Sequence, residues 1–156
     1  MKGPLLRRAR YGLIRITRME TNNPLPGQPL MRQRIIEKEL SYLIIAAFFE
    51  VFNELGFGFL ESLYARALEI ALVKRGLKVE REYPIPVFFQ GRQIGFHRLD
   101  MLVEGRVVIE IKSTEVLSVA SKRQLRSYVT AAKLDLGLLL HFGPKPEYHR
   151  VLGATN

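Results

Sequence analysis

The chain has 156 residues, 47% of them hydrophobic, with three His and no Cys, which fits one domain around one core rather than a disordered or collagen-like polymer. Without sulfur ligands, disulfide frameworks, thiolate zinc sites, cysteine-bound iron–sulfur clusters and cysteine nucleophiles are excluded, so any metal must sit on oxygen or imidazole. Twenty-four Lys and Arg against 15 Asp and Glu leave a formal net charge of +9, which points to a polyanion such as nucleic acid or an anionic membrane.

The charge is unevenly spread along the chain. Residues 1–34 hold eight basic side chains against one acid, Glu20, and the other 122 residues carry only +2. The same stretch contains Asn22-Asn23-Pro24-Leu25-Pro26-Gly27-Gln28-Pro29, a cluster of breakers with no room for a regular element. Residues 1–34 therefore read as a disordered basic arm, and residues 35–156 as a single domain. Arg15 and Arg18 interrupt the one stretch, 11–16, that might serve as the apolar part of a secretory signal, so a cytoplasmic protein is expected. An organellar transit peptide, or an over-long start with Met19 or Met31 as the true beginning, is equally compatible with the arm. The most apolar run, 43–49, is far short of the ~20 residues of a membrane span, and no membrane partner is expected.

Residues 35–55 place Ile36, Leu40, Leu43, Ile44, Ala47, Phe48, Val51 and Leu55 at helical spacing, which predicts a core-facing amphipathic helix. Gly56-Phe57-Gly58 stops it, and a second helix is expected over 60–75, closed by Gly76. The period then changes to two, predicting strands at 77–83, 85–90, 93–97, 99–103 and 107–112, with turns at Gln90-Gly91 and Glu104-Gly105. A third helix over 119–133 and strands at 136–142 and 147–152 complete an α/β order of ααβββββαββ without internal repeats.

Residues 99–112 (LDMLVEGRVVIEIK) place two acids and a lysine inside otherwise aliphatic strands. A three-residue loop, Glu104-Gly105-Arg106, pairs Val103 with Val107, Met101 with Ile109 and Leu99 with Ile111, giving one continuous apolar face. The opposite face then holds Asp100 across from Glu110, with Lys112 two residues along. Carboxylates facing each other across a ladder have Cβ atoms ~5 Å apart, which is unfavourable unless a cation lies between them. A hard ion such as Mg²⁺ or Mn²⁺ suits oxygen donors and keeps several waters. Lys112 beside it would orient or help deprotonate a water and stabilise charge on a phosphate, an arrangement for phosphodiester hydrolysis. E-x-K alone is weak, arising by chance in roughly half of chains this long; the matching Asp100 strengthens it.

Glu61 opens the second helix with Tyr64 one turn on, and the helix dipole is the ordinary explanation of a first-turn acid. Gln124 and Tyr128 share a face of the third helix, where Leu125, Val129 and Ala132 form the packing stripe. Lys122, Arg123 and Arg126 on that helix, and Arg98 before Asp100, are candidate phosphate contacts. His97, His141 and His149 are too scattered for a ligand set, and only His97 is near enough in the chain to approach Asp100.

Gly58-x-x-Glu61-x-x-Tyr64, Arg98-x-Asp100, Glu110-x-Lys112 and Gln124-x-x-x-Tyr128, in this order and spacing, closely resemble the GxxExxY protein family within the PD-(D/E)XK nuclease superfamily, over residues 35–152. The resemblance implies a restriction-endonuclease-like core, a central mixed four-stranded sheet flanked by helices with the acidic hairpin in its middle. It implies Asp100, Glu110, Glu61 and the Ile111 carbonyl as ligands of Mg²⁺ or Mn²⁺, and Lys112 as the catalytic lysine. Gln124 and Tyr128 match the QxxxY element of the RecB-like branch, which lines the active site and the DNA path. Leu99 stands where the family usually has proline, and the four cysteines of an iron–sulfur cluster are absent, so neither that cluster nor zinc is expected. The expected activity is metal-dependent cleavage of DNA, with RNA as a second substrate class. The alternatives are a catalytically silent nucleic-acid-binding or protein-assembly module on the same fold, and a subunit or homo-oligomer that acts only with a partner.

Overall fold

The structure, a computed structural model, describes residues 29–153, with side chains from Glu37 onward. Residues 1–28 of the expected arm and the side chain of Ile36 lie outside the described residues. Helix α1 (Pro29–Leu55) starts at Pro29 rather than at the expected residue 35. Proline suits a first helical position, where its φ is already helical and its missing N–H has no partner to lose.

The remaining elements are α2 (Glu61–Lys74), β1 (Val79–Phe89), β2 (Arg92–Val103), β3 (Val107–Lys112), α3 (Val119–Ala131), β4 (Leu136–Phe142) and β5 (Pro146–Leu152). They form one mixed sheet in the order β1-β2-β3-β4-β5, with β3 and β4 parallel and all other neighbours antiparallel. A parallel pair needs a crossover connection, and α3 supplies it. The acidic hairpin is in the middle, as expected.

Two expectations about the strands are corrected. The observed order is ααβββαββ, because the four short strands expected between 77 and 103 are two long ones, and the sheet has five strands rather than four. Pro84 and Pro86 look like breakers in sequence, but β1 is an edge strand, where a missing outward N–H costs no ladder bond. Gln90 and Gly91, both at positive φ (48° and 75°), form the expected two-residue turn between β1 and β2.

Each face of the sheet carries its own core. On one side Leu40, Ile44 and Phe48 of α1 and Leu68 and Leu72 of α2 pack on Met101, Ile109, Leu138 and Leu140. On the other, Leu125 and Val129 of α3 cover Leu99, Val108 and Leu139. Strand β4, buried along its whole length, reads as an almost unbroken aliphatic run for this reason.

Gly137 of β4 sets how closely α3 approaches. A methyl group there would meet Val129 Cγ2 at 2.6 Å and Leu125 Cδ1 at 2.9 Å, both branched side chains in a packed core. Gly137→Ala is expected to lower stability by ~1–3 kcal/mol, the usual cost of overpacking, because α3 must move. Urea unfolding followed by circular dichroism checks it, and an unchanged midpoint would refute this account of the α3 contact.

Candidate active site

The loop Glu104-Gly105-Arg106 closes as expected, with the Arg106 amide donating to the Val103 carbonyl at 3.0 Å. The pairs Val103↔Val107, Leu102↔Val108 and Met101↔Ile109 follow the expected register. The ladder ends there, and the expected Leu99–Ile111 pair on a shared apolar face is not formed: Leu99 packs on the α3 side, Ile111 on the α1–α2 side.

The physical cause lies in β1. Glu82, opposite Asp100, has a left-handed backbone (φ 51°), and the β1–β2 register runs through Arg81↔Met101 and Tyr83↔Leu99 while omitting the Glu82–Asp100 position. The faces of β2 switch at this point. Asp100 Oδ2 accepts the Ile111 amide at 2.7 Å, so a carboxylate replaces the ladder bond that the parted strands no longer make.

Glu110 and Lys112 project from the next positions of β3. Glu110 is 4% exposed, and Lys112 Nζ donates to its Oε1 at 2.8 Å. Burial pushes the Glu110 carboxyl up to about 7, and the charge of Asp100 adds to the rise; the Lys112 hydrogen bond and charge oppose it without cancelling it. Asp100 is also raised, chiefly by burial, against the Ile111 amide and Lys112, which pull it down. Burial works against the Lys112 ammonium, yet the Glu110 hydrogen bond and the charges of Glu110, Glu61 and Asp100 outweigh it and hold the lysine protonated above its ordinary range.

Glu61 reaches the same place from α2. Its Oε1 accepts the Ser113 amide at 3.1 Å, and Ser113 Oγ donates to the Phe59 carbonyl at 2.7 Å, tying the end of β3 to the start of α2. Gly58, at φ 117°, takes a turn there that side-chain-bearing residues rarely adopt. Tyr64 is fully buried: its hydroxyl donates to the Gly56 carbonyl at 2.5 Å and accepts the Phe59 amide at 3.3 Å, while its ring stacks on Phe142 at 4.1 Å. The Gly58, Glu61, Tyr64 spacing is thus one turn of chain, its tyrosine packed inside and its glutamate left at the site.

From α3, Gln124 Nε2 donates to Tyr128 Oη at 2.6 Å. Burial and the Glu110 charge raise the Tyr128 hydroxyl, which places the phenol beside the carboxylates. The His97 ring packs against the Tyr128 ring, tilted by 51° with centroids 4.6 Å apart.

The basic candidates do not converge on this cluster. Arg98 is on the exposed face of the β1–β2 hairpin, 3.7 Å from Glu82. Lys122, whose charge acts on His149 of β5, Arg123 and Arg126 are exposed on α3 and make no ion pair among the described residues. Sequence reasoning missed two neighbours. His141, 3% exposed, pairs in register with Lys112, and its Nε2 donates to the Thr114 carbonyl at 2.7 Å, two residues beyond the lysine. Arg81, across from Met101, acts on Asp100 through its charge and keeps a buried Nε without a hydrogen-bond partner among the described residues. Only long-range strand pairing brings either to the site, so local spacing held no signal for them.

The donor set fits a hard divalent ion. Asp100 and Glu110 offer carboxylate oxygens, and both are held above their ordinary range chiefly by burial. No three His, Asp or Glu side chains form a ready cage among the described residues, but Mg²⁺ is held by one or two carboxylates and retains water.

A model of the PD-(D/E)XK nuclease superfamily matches residues 38–151. No curated protein matches the chain. Among solved structures, one described as the crystal structure of SSO0001 is similar at 21% identity with a TM-score of 0.49, over 80% of this chain and 63% of that one, so this chain spans less than two thirds of its length. Since the superfamily match runs from α1 to β5 and encloses the cluster of Asp100, Glu110 and Lys112, the chain belongs to the PD-(D/E)XK nuclease superfamily.

Proposed function

We propose that this protein is a Mg²⁺- or Mn²⁺-dependent nuclease that hydrolyses phosphodiester bonds in DNA, of the GxxExxY type and related to the RecB-like branch. The observation that carries the reading is that a buried carboxylate, Glu110, and a half-buried one, Asp100, meet at Lys112, whose Nζ donates to Glu110 Oε1 at 2.8 Å. Asp100 and Glu110 would hold the ion, with Glu61 and the Ile111 carbonyl as further oxygen donors. When bound, such an ion supplies Lewis acidity towards the phosphate and acidifies water.

The chain's own groups have separable tasks. Asp100 orders the Ile111 amide and with it the path of β3. Lys112 presents a cation to charge developing on phosphate oxygens in a water-poor setting, where electrostatic stabilisation is strongest. Tyr128 accepts from Gln124, which leaves its own O–H free to donate to a phosphate oxygen. Arg123 and Arg126, exposed on α3, would contact a nucleic-acid backbone.

The test uses labelled single- and double-stranded DNA and RNA with Mg²⁺, with Mn²⁺ and with EDTA, for the wild type beside Glu110→Ala and Lys112→Ala. Cleavage is expected with either ion and not in EDTA, and each substitution should cost at least ~10²–10³ in rate. Activity that survives both substitutions, or EDTA, overturns the proposal; a preference for RNA corrects the substrate alone.

A second prediction concerns stability. A carboxyl raised in the folded state weakens the fold as pH climbs from its unfolded value towards its folded one. With Glu110 raised from 4.5 to about 7, its contribution to the stability of the metal-free protein should be full below pH 4.5 and smaller by ~2–3 kcal/mol at pH 7–8. Glu110→Gln should flatten this slope, and millimolar Mg²⁺ should restore the loss at pH 8. Thermal unfolding across pH, with and without Mg²⁺, measures both, and a stability that rises over the same window contradicts the site electrostatics.

A further inference from the structure

The hairpin of β1 and β2 extends beyond the three-pair ladder that joins β2 to β3, and its two faces differ. One face carries Ile85 and Leu99, both buried beneath α3 with Tyr83 packed against them. The other carries Pro84, Pro86 and Phe88 on β1 with Ile94 and Phe96 on β2, and Pro86 sits directly opposite Phe96. Phe88 is 59%, Phe96 58% and Ile94 67% exposed. These side chains belong to neither core.

We propose that this open face is the contact surface of a homodimer, two copies packing hairpin on hairpin. Three arguments select a second copy. The face carries no net charge, since Arg98 at its base is 3.7 Å from Glu82, so it does not repel its own image. With a large side chain worth 150–250 Å² when fully buried, the five residues expose about 450 Å² per copy. Pairing two copies then removes up to about 900 Å², just under the size usual for a specific interface and above most adventitious contacts. Finally, Pro84 and Pro86 remove amide donors from the outer edge of β1, which prevents edge-to-edge strand addition and leaves face-to-face packing as the available mode.

The inference does not depend on the nuclease reading, and its test reads mass rather than activity. Sedimentation of the full chain at about 1–200 µM should show a monomer–dimer equilibrium with a dissociation constant in the micromolar range. Because the contact is apolar, the constant should change little between 0.15 and 1 M NaCl. Phe88→Glu combined with Phe96→Glu should raise it at least ~100-fold while the circular dichroism spectrum stays unchanged. A wild type that is monomeric throughout overturns the proposal, and so does a dimer that survives the double substitution. The chain has no Cys, so Ile94→Cys carries a single spin label and gives a second reading should the double variant fold poorly. The label-to-label distance in the dimer should be short, under about 25 Å for packed faces with ~10 Å sheet spacing, and a longer distance excludes this face. Loss of oligonucleotide binding in the double variant, with its mass unchanged, would assign the face to nucleic acid and overturn the dimer.

Discussion

Two carboxylates at one hydrocarbon-lined end of a sheet are the constraint around which the rest of the site is arranged. Left to themselves they would take up protons, because burial and mutual repulsion both disfavour charge. Lys112 counters this from 2.8 Å, but one ammonium faces Glu110, Asp100 and Glu61 together. The balance remains negative. A structural salt bridge would be expected to close its charges; this one leaves a deficit that a second cation can fill. Such unbalanced burial weakens a fold without a compensating contact, and that is the usual physical mark of a working site.

The geometry of that site depends on an interruption in the sheet. A regular β1–β2–β3 ladder would keep Leu99 and Ile111 on one face and spread the acids over a flat surface. Glu82 instead takes a left-handed conformation that costs a non-glycine residue of order 1–3 kcal/mol, held by regular pairs on either side at Arg81 and Tyr83. Beyond it the strands part, and the Asp100 carboxylate spans the gap to Ile111. Asp100 thereby comes under the influence of Arg81 and Glu61 from the α2 side and of Lys112 from its own hairpin. The strain of one residue is what lets groups from both layers meet at one carboxylate.

What was legible in the sequence follows from the range of the forces involved. Helices α2 and α3 and strands β3 and β4 were found within a residue or two, since their patterns are local and their ends carry glycine or capping signals. The register of the acidic hairpin up to Met101 was legible because only one pairing buries every aliphatic side chain. Its end was not, because the cause, Glu82, lies eighteen positions away from Asp100 on another strand. The expected break at Pro84, between 77–83 and 85–90, failed for a similar reason: whether a proline breaks a strand depends on which neighbour needs its amide, and only the sheet order answers that. Asp100, Glu110 and Lys112 could be read together from spacing. His141 and Arg81 reach the site only through pairings with other strands, and Tyr64, which looks catalytic beside Glu61, is a core residue that ties the turn from α1 into α2.

The overall basic balance also takes on a different meaning once its place in the fold is known. Arg75, Lys78, Arg81 and Arg98 are each within ion-pair distance of a glutamate, so their charge is largely spent within the molecule. Lys122, Arg123 and Arg126 have no such partner among the described residues, and all three lie on the helix that brings Gln124 and Tyr128 to the carboxylates. The folded body therefore has a sidedness that its net charge conceals. On the proposed reading a polyanion would be drawn to α3, while the outer face of the long hairpin is mostly hydrocarbon, with Arg98 and Glu82 as its charge pair. On that reading capture by the exposed cations would weaken with ionic strength, whereas the contacts of 2.7–2.8 Å at Asp100 and Glu110 inside the sheet are screened much less.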